Sequence, residues 1–159
     1  MMALRVGKDL FDYINEVKLE KSRHSMKRRL QEHKPNQGSV DRLERVDQKH
    51  YLIIFSAEWC SDCVAHLPDL AKALMMAQNN MLSARVVDYD SYKDMAEEFR
   101  VRAIPTIIVY DKSWRELGRF VESPRKYGTV EEELCGIIDH KRPSEALAGE
   151  REKKEGPVD

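Results

Sequence analysis

The chain has 159 residues and a mass of 18.5 kDa, room for one domain of ordinary size. Charged residues make up 35% of it, yet 27 Lys and Arg against 28 Asp and Glu leave a net charge of −1. A whole-protein basic field for gripping nucleic acid is therefore absent. No apolar run approaches the ~18 residues of a membrane span. Residues 1–10 carry neither a continuous apolar stretch nor a small-residue cleavage site, and three cysteines are too few for a disulfide scaffold. The expectation is a soluble, cytoplasmic protein with one folded domain.

In chain order, Leu10, Phe11, Ile14 and Val17 recur at helical spacing, and the pattern thins through Met26 and Leu30 until Pro35-Asn36-Gln37-Gly38 stops it. Seven Lys or Arg against two Glu between residues 18 and 34 give this stretch a local charge of +5. Residues 1–38 thus read as a helical N-terminal extension. A short helix over 40–46 follows, with Leu43 and Val46 inward. Tyr51-Leu52-Ile53-Ile54-Phe55 is a β-branched and aromatic run, the mark of a strand buried on both faces. A helix over about 61–78 presents Val64, Leu67, Leu70, Leu74 and Met75, with Met75-Met76 as core filling. Residues 84–88 read as a second strand, and Met95 and Phe99 mark a short helix. Thr106-Ile107-Ile108-Val109-Tyr110 makes a third strand, paired as a hairpin with a fourth over 116–121. A last helix from about residue 130 carries Leu134, Ile137 and Ile138. Alternation of this kind predicts an α/β fold: a central mixed four-stranded sheet, flanked by helices, over residues 39–142. Residues 145–159 hold only Leu147 and Val158 as sizeable aliphatics, so 143–159 reads as a flexible charged tail.

One segment carries chemistry. Trp59-Cys60-Ser61-Asp62-Cys63 lies where the first buried strand gives way to a helix. A cysteine at a helix start sits over unpaired backbone N–H groups and the positive end of the macrodipole, and both favour thiolate over thiol. A second cysteine three residues on lies one turn inside, within reach of a disulfide. Cys60 is the expected nucleophile and Cys63 the buried resolving thiol. A zinc site would need four ligands; beyond the pair only Cys135 and His66 offer themselves, and His66 is a poor geometric complement. No metal is expected.

AEWCSDC after an apolar strand resembles the active-site segment of the thioredoxin superfamily. Val101-Arg102-Ala103-Ile104-Pro105-Thr106 is similar to that family's cis-proline segment, and Pro68, five residues after Cys63, matches the proline of its active-site helix. The resemblance runs from about residue 51 to 140. It implies a thioredoxin-like fold and a thiol–disulfide oxidoreductase that reduces protein or low-molecular-weight disulfides through Cys60 and Cys63. It places Pro105, in the cis form, beside the sulfurs. It leaves the Ile104 backbone to pair with an extended substrate, with Trp59 and Ile104 forming an apolar lip. No cofactor beyond the redox-active cysteine pair is implied; electrons would come from a reductase or a small thiol, with neither nucleic acid nor membrane as a partner.

Departures from the family pattern matter as much. Ser61 and Asp62 stand where most thioredoxins have Gly-Pro, and Asp62 sets a negative charge near the thiolate, so both are expected to tune the site. The family's buried aspartate and lysine fall at Ile54 and Val86, which leaves Glu58, His66 or water to serve the resolving thiol. The groove glycine is replaced within Phe120-Val121-Glu122-Ser123-Pro124, which implies a tighter or more acidic groove. His66 is expected to be exposed, and Cys135, among Leu134, Ile137 and Ile138, to be a small buried hydrophobe. The other reading is an adaptor or redox sensor on the same fold, working through the basic N-terminal helix and the groove.

Overall fold

The structure, a computed structural model, describes residues 1–139. The tail expected over 143–159 lies outside the described residues. Helices α1 (Met2–Val6), α2 (Leu10–Asn15), α3 (Glu20–Glu32) and α4 (Gln37–Glu44) occupy the N-terminal part, interrupted by the short strand β1 (Lys8–Asp9). Then come β2 (His50–Ser56), α5 (Ser61–Ala77), β3 (Leu82–Asp88), α6 (Lys93–Glu98), β4 (Thr106–Tyr110), β5 (Glu116–Val121) and α7 (Val130–Asp139).

Among the described residues the sheet has five strands, not the four expected, in the order β1-β3-β2-β4-β5. The addition is β1, where Lys8 and Asp9 pair antiparallel with Val86 and Arg85. Two residues are too few to show an alternating pattern, so this edge strand leaves no periodic signal. The pairing β2/β3 is parallel and β2/β4 and β4/β5 are antiparallel, the mixed arrangement expected from the order of elements. The β4–β5 hairpin turns at Asp111, whose Oδ1 accepts from the Ser113 and Arg115 backbone N–H groups at 2.8 and 2.9 Å.

Strand alternation sorts the core into two layers. Leu52 and Ile54 of β2 face one side with Val86, Ile107, Val109 and Phe120, against Leu10 and Ile14 of α2, Met26 of α3, Leu67 and Leu70 of α5, and Val130 and Leu134 of α7. Ile53 and Phe55 face the other side with Val87 and Ile108, against Ala3 of α1, Ala96 of α6 and Val101. Helices α2 and α3 therefore cover the same sheet face as α5, while α1 packs on the opposite one, and Met26 keeps only 1% of its surface exposed. Gly118 of β5 lets α7 come close: a Cβ there would lie 2.9 Å from Ile137 Cγ2.

Two expectations are corrected. Met75 and Met76 are exposed, at 45% and 42%. The buried side of α5 continues instead through Ala73 and Ala77, which pack on Val40 and Leu43 of α4 and on Cys135, and this turns the two methionines outward. His66 is half-buried and lies edge-on to Phe120, with ring centroids 5.6 Å apart. Cys135 is buried as expected, its Sγ 3.5 Å from the Ser39 carbonyl oxygen, and burial pushes its thiol up to about 11.

Candidate functional site

Strand β2 delivers the site. Its apolar residues Leu52–Phe55 are wholly buried and anchor the strand, so the chain that leaves it at Ser56 is fixed in position. The loop of Ala57, Glu58 and Trp59 leads into α5, and Cys60 is the residue that caps that helix, in extended conformation (φ −84°, ψ 119°). In place of the usual Ser or Asp oxygen at such a position, the Cys60 sulfur accepts from the Cys63 backbone N–H at 3.2 Å. The sequence-predicted nucleophile thus occupies the position where helix N–H groups can stabilise a thiolate.

The two cysteines differ sharply in their surroundings. Cys60 keeps 7% of its surface and Cys63 none; both are free thiols. Burial holds the Cys63 thiol far above its ordinary value, the Cys60 hydrogen bond adds to this, and hydrogen bonds from the Ser56 side chain and the Ala57 backbone act the other way. The inner thiol is therefore a poor spontaneous nucleophile.

Across the sulfurs lies the segment before β4. The Ile104–Pro105 peptide is cis, Pro105 is buried and Ile104 half-buried, and Cys60 Sγ stands 3.5 Å from the Ile104 carbonyl oxygen. Ala57, Cys60 and Cys63 form a small apolar cluster against which Ile104 packs. The Pro105 carbonyl accepts from the Glu122 backbone N–H at 2.8 Å, and Glu122 adopts a positive φ of 67°. That is the stretch where the family's glycine is missing, and a non-glycine residue here holds the left-handed conformation glycine takes without cost.

Trp59 is the exposed rim, 61% accessible, with its indole N–H donating to Asp90 Oδ2 at 2.6 Å. Ser61 and Asp62 are exposed on the first turn of α5. Asp62 and Asp69 tend to raise the His66 imidazole, but burial outweighs them and lowers it overall. Glu58 faces the N-terminal helices: its Oε1 accepts from the Lys18 and Leu19 backbone N–H groups, and its carbonyl accepts from Ser22 Oγ at 2.6 Å. Among the described residues no cluster of three or more His, Cys, Asp or Glu could hold a metal ion.

The geometry brings together Trp59, Cys60, Cys63, Ile104 and Pro105. The thioredoxin family's sequence profile matches residues 7–134, most of the chain. The chain belongs to the thioredoxin family. The match begins at residue 7, so α2, α3 and α4 lie inside it, well upstream of the segment from residue 51 whose motifs are legible.

The chain is 30% identical over 112 residues to protein disulfide-isomerase A5 of Bos taurus, which covers 70% of this chain and 20% of that protein. It is 35% identical over 83 residues to a thioredoxin of Echinococcus granulosus, 51% of this chain and 75% of that one. The match thus spans about one-fifth of the disulfide-isomerase relative. Among solved structures, a protein of unknown function from Pseudomonas aeruginosa superposes with a TM-score of 0.74 at 19% identity, over 86% of this chain and 95% of that one. An HIV epitope scaffold gives the same TM-score at 20% identity, over 87% and 96%. At these identities the structural likeness speaks for the fold alone. Thioredoxin and disulfide-isomerase relatives together make thiol–disulfide exchange the chemistry of this family.

Three residues of the site escape sequence reasoning. Asp90, the partner of Trp59, sits in a turn with no motif around it. Ser56 looks like the polar end of a strand. Tyr13 was legible in part: Leu10, Tyr13, Ile14 and Val17 fall at i, i+3, i+4 and i+7, a complete inward stripe, and all four are buried.

Proposed function

We propose that this protein is a thiol–disulfide oxidoreductase whose net reaction, in a reducing and cytosolic setting, is reduction of a disulfide in a protein or a small molecule. Cys60 attacks the target disulfide and forms a mixed disulfide. Cys63 then attacks the Cys60 sulfur, releases the reduced substrate and leaves the Cys60–Cys63 disulfide, which a reductase or a small thiol returns to the dithiol. The Ile104 backbone and the Pro105 ring hold the substrate strand, Trp59 forms the apolar edge of the groove, and Ser61 and Asp62 tune the first thiol. The observation that carries the reading is the placement of Cys60: its sulfur caps α5, 3.2 Å from the Cys63 N–H and 3.5 Å from the Ile104 carbonyl.

The adaptor alternative has less support. Two arginines of the basic helix are turned back onto the body, Arg23 onto the Val17 carbonyl and Arg29 onto the Ala65 carbonyl and Asp69. Reduction of insulin disulfides by dithiothreitol tests the enzyme reading. The intact protein should accelerate it, Cys60→Ser should abolish the acceleration, and Cys63→Ser should accumulate a mixed disulfide visible by mass. Acceleration that survives Cys60→Ser would refute it.

A further inference from the structure

Cys60 stands where a loop and a helix meet, and its capping bond needs the two held in register. The sulfur belongs to the junction, while the Cys63 N–H it accepts from, at 3.2 Å, belongs to α5. Within the loop the Cys60 N–H donates to the Ala57 carbonyl at 3.2 Å; further bonds reach segments far along the chain. The Tyr89 N–H donates to the Ser56 carbonyl at 2.8 Å, and the Tyr13 hydroxyl of α2 lies 3.1 Å from the buried Ser56 hydroxyl. Ser22 Oγ of α3 donates to the Glu58 carbonyl at 2.6 Å, which fixes the peptide between Glu58 and Trp59. The Glu58 carboxylate accepts from the Lys18 and Leu19 N–H groups, at a helix start without a side-chain cap of its own. Helix α3 is bonded to α5 as well. Arg29 Nε donates to the Ala65 carbonyl at 2.9 Å and its Nη2 to Asp69 Oδ2 at 2.8 Å. Lys72 Nζ donates back to the Leu30 and Gln31 carbonyls at 2.9 and 3.2 Å, and Met26 packs in one core with Leu67 and Leu70. One helix is thus attached to the loop side of Cys60 by its first turn and to the α5 side by its C-terminal half.

We propose that α3 is a splint for the nucleophile, with Ser22 and Glu58 as positioning residues. By fixing the Glu58–Trp59 peptide relative to α5, they aim the Cys60 sulfur at the Cys63 N–H and so set how fast Cys60 reacts. The proposal rests on the thiol–disulfide exchange reading and adds to it a role for the N-terminal helices that needs no contact with substrate. The step it governs is the first one. Cys60 gives up its proton and its sulfur bonds to one sulfur of the target disulfide; the other sulfur leaves with the electron pair and takes up a proton. The attacking form is the thiolate, and a hydrogen bond to a charged acceptor is strong only while it is well aligned. A loop free to tilt loses that alignment for part of the time, and less thiolate forms. The gain in intrinsic nucleophilicity that accompanies weaker stabilisation recovers only about half of the loss, so the net effect is a slower attack.

Iodoacetamide alkylation of the full-length reduced protein at pH 7, followed by peptide mass, reads Cys60 directly. Cys135, 1% exposed, serves as an internal monitor of loosening. Ser22→Ala should slow Cys60 about threefold and leave Cys135 unchanged, and Ser22→Thr, which keeps the hydroxyl, should restore the wild-type rate. Glu58→Ala should react more slowly at Cys60 than Glu58→Gln, by a similar factor. These two variants lose the same charge and differ in whether the start of α3 keeps an acceptor, so their ratio isolates the brace from the electrostatics. An unchanged Cys60 rate in Ser22→Ala, together with equal rates in the two Glu58 variants, overturns the proposal. A slowing that Ser22→Thr fails to relieve overturns it too, as does one accompanied by faster alkylation of Cys135, the mark of a merely structural effect. If the wild-type protein alkylates at Cys60 yet fails to speed insulin reduction by dithiothreitol, the exchange reading fails and the proposal with it, an outcome distinct from the others because it appears without any substitution.

Discussion

The backbone N–H of Lys18 donates to the Glu58 carboxylate at 2.9 Å across forty residues of sequence, and Leu19 adds a second bond to the same oxygen at 3.0 Å. Glu58 is two residues from Cys60, so the loop that carries this cysteine and the start of α3 are fastened to each other. Leu19, at the N-cap position, has no capping side chain of its own; Glu58 supplies the acceptor from a distance, and its negative charge suits that end of the helix. Glu58→Ala should lower unfolding free energy by about 1–2 kcal/mol, and Glu58→Gln, which keeps an acceptor, by clearly less. Urea denaturation at constant m-value checks both.

His33 bridges three helices. Its Nε2 lies 2.8 Å from Glu131 Oε2 on α7 and its Nδ1 3.6 Å from Asp69 Oδ1 on α5, while Arg29 holds the other Asp69 oxygen at 2.8 Å. Glu131 is wholly buried, and its second oxygen has no hydrogen-bond partner among the described residues. Removing the imidazole strands that carboxyl, so His33→Ala should cost about 3 kcal/mol. Adding Glu131→Met should recover much of the loss, because an apolar side chain has no desolvation to compensate. Denaturation of the two variants tests this; a double variant as weak as the single one would contradict it.

Stability of the reduced protein should fall at alkaline pH. The Cys63 thiol is held above its ordinary value of 9.0 in the folded state, as is the buried Tyr13 phenol above 10.0. Groups raised by folding contribute fully below their unfolded values and lose that contribution as pH rises, because the unfolded chain ionises first. Wild-type protein kept reduced should therefore lose more stability between pH 7 and pH 10 than Cys63→Ala does. Identical pH dependence in the two proteins would contradict the burial of Cys63.

Asp62 stands exposed two residues from Cys60, and a neighbouring carboxylate across water disfavours a second negative charge by about half a kcal/mol. Asp62→Asn should therefore alkylate with iodoacetamide about twofold faster at pH 7 and low salt. The difference should shrink as salt screens the pair. An unchanged rate would remove Asp62 from the tuning role.

The rim offers a separate test. Trp59 is held upright by its bond to Asp90, so Asp90→Ala should partly reproduce Trp59→Ala. Both should raise KM for a protein disulfide about five- to tenfold, with little effect on Ellman's reagent, which is too small to use the rim. Equal effects on the two substrates would argue against a binding role.

Much of this was legible from residues alone. The four main strands and α5 follow from runs such as Tyr51–Phe55 and from the stripe Leu67, Leu70, and Cys60 and Cys63 declare themselves through position at a strand-to-helix junction. What stayed hidden has physical causes. Lys8 and Asp9 are too short a strand to alternate. Met75 and Met76 follow an apolar pattern whose buried side continues through alanines, which hydrophobicity weighs lightly. Ser56 and Asp90 are ordinary polar residues whose roles exist only because a partner far along the chain folds against them. Residues 10–30 read as a helical add-on because their charge is conspicuous, while Leu10, Ile14, Val17 and Met26, the few that matter for packing, are sparse.

The layering of α2 and α3 on the same sheet face as α5 bears on how this protein can be recombined with its kin. A chimera that imports only the motif-bearing half, from residue 51 onward, would carry an uncovered oily trench and a dangling serine in place of a finished redox centre. Its donor must bring the roof along with the room.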